Sequence, residues 1–66
     1  MHIEILLKQI RAQKKMSISK LAEKSGVSRS HISDIENHFK CPSLLVVVKL
    51  AKALDVEVTE LYKVKW

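Results

Sequence analysis

The stretch SISKLAEKSGVSRSHISDIEN, Ser17 to Asn37, decides the fold. It reads as two short helices joined by a tight turn. Ser17 stands just before Ile18, where a hydroxyl can accept a bond from an unpaired N–H of the opening turn. Leu21 and Ala22 supply an inward face. Gly26 follows at the point where a helix ends and φ turns positive, a conformation glycine adopts at least cost. Ser28, two residues on, is a second N-cap. In the second helix Ile32 and Ile35 lie three residues apart and share the buried side. Arg29, Ser30, Ser33, Asp34 and Asn37 are left facing out.

That outward surface is polar, short-chained and nearly free of apolar residues. It suits insertion into a DNA major groove, where base edges are read by hydrogen bonds. With small Ala22, turn Gly26 and apolar Leu21, Val27, Ile32 and Ile35 at the motif's spacing, the stretch resembles a helix-turn-helix of the Cro/C1 (XRE-type) repressor family. The flanks fit as well: LxxIR at Leu7 to Arg11, CPSL at Cys41 to Leu44 and KLAKAL at Lys49 to Leu54. The resemblance runs from Leu7 to Leu61. It implies an all-α chain, a compact five-helix bundle of lambda-repressor-like type, over a single domain 1–66.

Composition agrees with that class. A chain of 66 residues buries a small fraction of its surface, yet 47% hydrophobic content supports a core. One Gly and one Pro disfavour long irregular loops. The net charge of +5 fits a polyanionic partner, nucleic acid or an anionic membrane surface; lysine-rich solvated helix faces are the plain alternative. Cys41 is the only cysteine, so no intrachain disulfide can form and a reducing setting is expected. No apolar stretch approaches the ~20 residues of a membrane span. MHIEILLKQI carries Glu4 and lacks a basic leader before an apolar core, so no signal peptide is expected and a cytoplasmic protein is the default expectation.

Along the chain, Ile3, Leu6, Leu7 and Ile10 recur at helical spacing and predict a first helix from Ile3 to about Lys15. Ile5 lies off the stripe, as a lone exposed apolar residue or part of a partner surface. Met16 is expected under the turn into the next helix. Asn37 to Pro42 form the one substantial loop. The family usually has glycine where His38 stands, so Asn37 is a candidate for the left-handed position. Phe39 is expected to cover the core beneath that loop rather than to stack in solvent. Ser43 caps a fourth helix, about Leu44 to Leu54, with Val47, Leu50, Ala51 and Leu54 as its stripe. Asp55 ends it. A short fifth helix follows, about Val58 to Tyr62, poorly capped by Glu57. The tail YKVKW alternates at period two: a short C-terminal strand, a frayed end, or an arm pairing with a second chain.

The resemblance also implies roles. Arg11 corresponds to an arginine that pairs with a glutamate at the end of the recognition helix, and Glu36 matches that glutamate. The pair would be structural, tying the first helix to the third. The second helix of the motif would lie in the major groove. Arg29 would grip guanine or a phosphate. Ser30 and Ser33 could bond to either donors or acceptors. Asp34 could accept from cytosine and repel phosphate, or pair with His38. Ser28, Lys20, Lys40, His31 and Asn37 are the phosphate candidates, His31 equally a plain surface residue. Ile18 stands where the family commonly has glutamine. It can offer only backbone N–H groups or a contact to a thymine methyl.

These thinned phosphate contacts argue for a homodimer on two half-sites about 34 Å apart. Leu45, Val46, Val58, Tyr62, Val64 and Trp66 are the candidate interface; several could instead complete the small core. The expected function is sequence-specific binding of double-stranded DNA as a small transcriptional regulator, a repressor. The alternative is a protein-interaction module or antitoxin on the same fold. No catalytic constellation, cofactor motif or small-molecule site is legible. His2, His31, His38 and Cys41 lack compact metal-ligand spacing, so no metal is expected either.

Overall fold

The computed structural model describes all residues, 1–66. In chain order the elements are β1 (His2–Ile5), α1 (Leu7–Gln13), α2 (Ile18–Ser25), α3 (Arg29–Glu36), α4 (Leu44–Leu54), a 3-10 turn (Val58–Glu60) and β2 (Tyr62–Lys65). The fold is mostly helical, with four α-helices and one two-stranded sheet. The fifth helix expected near Val58 is the single 3-10 turn of three residues.

The first helix begins at Leu7, not Ile3. His2–Ile5 is a strand, antiparallel to the C-terminal strand in the register His2↔Lys65, Ile3↔Val64, Glu4↔Lys63, Ile5↔Tyr62. HIEI alternates polar and branched apolar residues at period two, the pattern of a half-buried strand. The helical spacing of Ile3, Leu6, Leu7 and Ile10 bridges two different elements. Leu6 N–H donates to the Leu61 carbonyl at 2.8 Å, so the two ends of the chain close together. Glu4 adds a 3.3 Å ion pair to Lys65 on the polar side. The tail YKVKW thus pairs with the chain's own N-terminus.

Every element of the middle has a local reason to start and stop. The Ser17, Ser28 and Ser43 hydroxyls accept from the N–H groups of Lys20, His31 and Val46 at 3.0, 3.1 and 3.2 Å. Gly26 closes α2 at φ 77°, with nothing near enough to meet an added Cβ. Three further left-handed residues are not glycine: Lys15 (φ 54°), His38 (φ 61°) and Asp55 (φ 58°). Each follows a helix whose last carbonyls accept from the residues beyond it. After α3, His38 N–H donates to Ile35 and Phe39 N–H to Asp34, at 3.1 and 2.8 Å. This is the Schellman arrangement, which uses the left-handed residue to satisfy two orphan carbonyls. His38 therefore holds the position expected of Asn37, whose φ is −89°.

The core is Leu7, Leu21, Val27, Ile32, Ile35, Leu50, Ala51, Leu54 and Leu61, so each of the four helices contributes. Ile5, Ile10, Met16, Ile18, Ala22, Val46, Val47 and Val58 pack around it, partly covered. Phe39 does not cover the core: it is 77% exposed. Past the left-handed His38 the Phe39 ring is left open to solvent. No side-chain N or O is buried without a partner. No helix is long and apolar enough to cross a membrane.

Candidate nucleic-acid interface

All four helices position the site. α2 packs on both α3 and α4, and α1 also packs on α3. Burying Ile32 and Ile35 turns the opposite side of α3 outward. Arg29, Ser30, Ser33 and Asp34 then line one shallow depression. Ile18, the first residue of α2, is the single apolar member of that lining.

The angle of α3 is tied from behind. Arg11 Nε donates to Glu36 Oε2 at 2.6 Å and one terminal nitrogen donates to Oε1 at 3.0 Å, a two-pronged pair. The other terminal nitrogen donates to the Met16 carbonyl at 2.9 Å. One guanidinium thus joins α1, the α1–α2 turn and the end of α3. The side chains are 17% and 5% exposed, so the pair is shielded from solvent screening. The hydrogen bond to Glu36 raises the Arg11 pKa above its ordinary value, against burial, which lowers it. The resulting stabilisation is fully present below the ordinary arginine value and is lost only as pH rises through the raised one.

On the outward face, Arg29 and Ser30 are exposed and His31, Ser33 and Asp34 are half-buried. Arg29 lies in the first turn of α3 and Ser28 just before it. Ser28 Oγ accepts from His31 N–H, which leaves its own proton free to donate. Asn37 Nδ2 donates to the Ser33 carbonyl at 2.9 Å and to Ser33 Oγ at 3.3 Å. The amide of Asn37 is therefore occupied within the helix end. Asp34 has a partner, but it is Lys40 at 3.6 Å and not His38. The left-handed turn takes His38 off the α3 surface and lets Lys40 fold back. Lys40 N–H also donates to the Asp34 carbonyl, at 3.4 Å. Lys20 is exposed, with its ammonium 3.9 Å from Glu23.

The six residues expected at a dimer surface divide. Trp66 is 94% exposed, and Leu45 and Val64 are also open. Val46 and Val58 pack against the core and show only part of their surface. Tyr62 lies opposite Ile5 in the two-stranded sheet. Tyr62 and Val58 line an apolar groove with Ile3, Ile5, Cys41, Pro42, Leu44 and Val47. By sequence Ile5 is already a candidate for a partner surface, whereas Ile3 reads into the stripe of the first helix and Leu44 only as the start of the fourth; for Ile3 the period-two alternation of HIEI is the available signal. Cys41 is free and exposed, and no group of three His, Cys, Asp or Glu residues is placed to hold a metal.

Comparison with known proteins places this geometry in a family. A helix-turn-helix family profile matches residues 7–61. The HTH-type transcriptional regulator SinR of Bacillus licheniformis is 42% identical over 60 residues, covering 89% of this chain and 54% of that protein. The chain thus spans about half the length of this relative. Among solved structures, the restriction-modification controller protein C.AhdI from Aeromonas hydrophila aligns with TM-score 0.79 and 39% identity, covering 82% of each chain. SinR, described as the master regulator for biofilm formation and crystallised in complex with DNA, aligns with TM-score 0.76 and 42% identity over 80% of this chain and 86% of that one. By the length of the profile match and the agreement in fold, the chain belongs to the Cro/C1-type helix-turn-helix family.

Proposed function

We propose that residues 1–66 form one DNA-binding domain that reads double-stranded DNA with α3 in the major groove, as a cytoplasmic transcriptional repressor. The observation that carries this reading is the depression over α3. It gathers Arg29, Ser30, Ser33 and Asp34 on one open face of a chain with net charge +5. Those four offer donors and acceptors suited to base edges. Ser28, Lys20, His31 and Lys40 lie on the surrounding surface as phosphate contacts. Asn37 acts first through Ser33, whose hydroxyl it orients.

Lys40 and Asp34 divide their work between two states. In the free chain Lys40 screens the carboxylate. A phosphate approaching the loop would draw Lys40 away and leave Asp34 to accept from a cytosine amino group. The solved SinR–DNA complex supports DNA binding by likeness of fold.

A homodimer completes it. The apolar groove beside the two-stranded sheet and the open Leu45, Val64 and Trp66 supply a surface for a second copy. Two copies bring two α3 helices to the half-sites of a symmetric operator.

Selection of bound sequences from a random duplex pool tests the reading. We expect a two-fold symmetric site whose affinity falls steeply with salt. Arg29→Ala and Ser33→Ala should each lower affinity on that site, by roughly five- to a hundredfold where a base contact is lost. Failure of any sequence to emerge at low salt would remove the DNA reading and favour a protein-docking module. Light scattering across concentrations tests the dimer; a strict monomer at high concentration would exclude it.

A further inference from the structure

We propose that Ile18 is a specificity-determining residue that reads the 5-methyl group of thymine, and this rests on the placement of α3 in the major groove. Ile18 is the first residue of α2, set there by the Ser17 cap. One side of it packs on the core, which holds it in place. The rest lines the depression shared with Arg29, Ser30, Ser33 and Asp34. Four members of that lining can form hydrogen bonds and one cannot.

The major-groove edges present the complementary set. Guanine, adenine and cytosine show hydrogen-bonding groups there, and thymine alone adds a methyl. A purine N7 or an exocyclic oxygen or amino group against the Ile18 side chain would lose water and gain no partner there, which is unfavourable. A methyl in the same place is removed from water against fixed apolar carbon. The half-site is therefore expected to carry thymine at the base facing Ile18, beside the bases bonded by the polar four.

The test alters the DNA, so the protein's fold is untouched. In the selected duplex each thymine is replaced in turn by deoxyuridine, which lacks only the 5-methyl. One position per half-site should lose affinity about fourfold, the effect of one buried methyl, and the others should not change. Ile18→Ala, checked for folding by circular dichroism, should bind the thymine and deoxyuridine duplexes equally. Ile18→Val, which keeps branched carbon at the site, should retain the preference in part. A selective duplex indifferent to every replacement overturns the proposal and leaves the DNA reading intact. So does a methyl preference undiminished in Ile18→Ala. Absence of any selected duplex removes the DNA reading itself, a result distinct from both.

Discussion

Between Ser17 and Glu36 each helix carries its own start and stop. Serine caps, a glycine turn and buried residues three or four apart lie within a few positions of one another. The two-stranded sheet of β1 and β2 has no such local support. Its four residue pairs join opposite ends of the chain, and its apolar side remains half open. Bringing distant ends together costs loop-closure entropy that only the completed helical core can offset. The helix-turn-helix is thus part of the structure's foundation, whereas the terminal sheet is an addition to it. The difference also separates the two surfaces: one polar and shaped on a helix, the other apolar and assembled from the termini.

The contrast predicts graded costs. Leu21→Ala, at a fully buried position, should destabilise by about 4 kcal/mol in urea unfolding. A loss below about 1 kcal/mol would mean that α2 does not anchor the core. Glu36→Ala should lose about 3 kcal/mol, because Arg11 is left shielded without its carboxylate. Arg11→Lys keeps the charge but not the fork and should fall between that variant and the parent.

In the terminal sheet, Ile5→Ala should cost about 1–2 kcal/mol, since Ile5 packs against the core edge. Were it to match Leu21→Ala, the distinction between foundation and addition would collapse. His38→Gly should raise stability by about 0.5–1 kcal/mol by relieving a left-handed histidine. Ile3→Ala, with Ile3 58% exposed, should leave monomer stability within about 0.5 kcal/mol. Its effect belongs in light scattering, as a weaker dimer.

The two regions were also unequally legible. Ser17, Gly26 and Ser28 announce their roles because capping and turn chemistry depend on near neighbours. Ile32 and Ile35 follow from helical periodicity. The Arg11–Glu36 pairing was suggested by family resemblance and not by spacing, since 25 residues separate the two. Beyond α3, local reading weakened. Asn37 was a sound candidate for positive φ, yet His38 takes it, because the Schellman bonds to Asp34 and Ile35 select the residue one further on. That choice exposed Phe39 and gave Asp34 to Lys40.

By itself the sequence determined the capped helices of Ser17 to Asn37, the polar outward side of α3 and the basic charge. All of these rest on interactions between residues close in the chain. Tertiary structure alone decided that Ile3 belongs to a strand, that the tail closes on β1, and that Ile18 shares a depression with Arg29, Ser30, Ser33 and Asp34. Those outcomes depend on which distant segment is present to pair or pack, and a short alternating or apolar run carries no record of its partner.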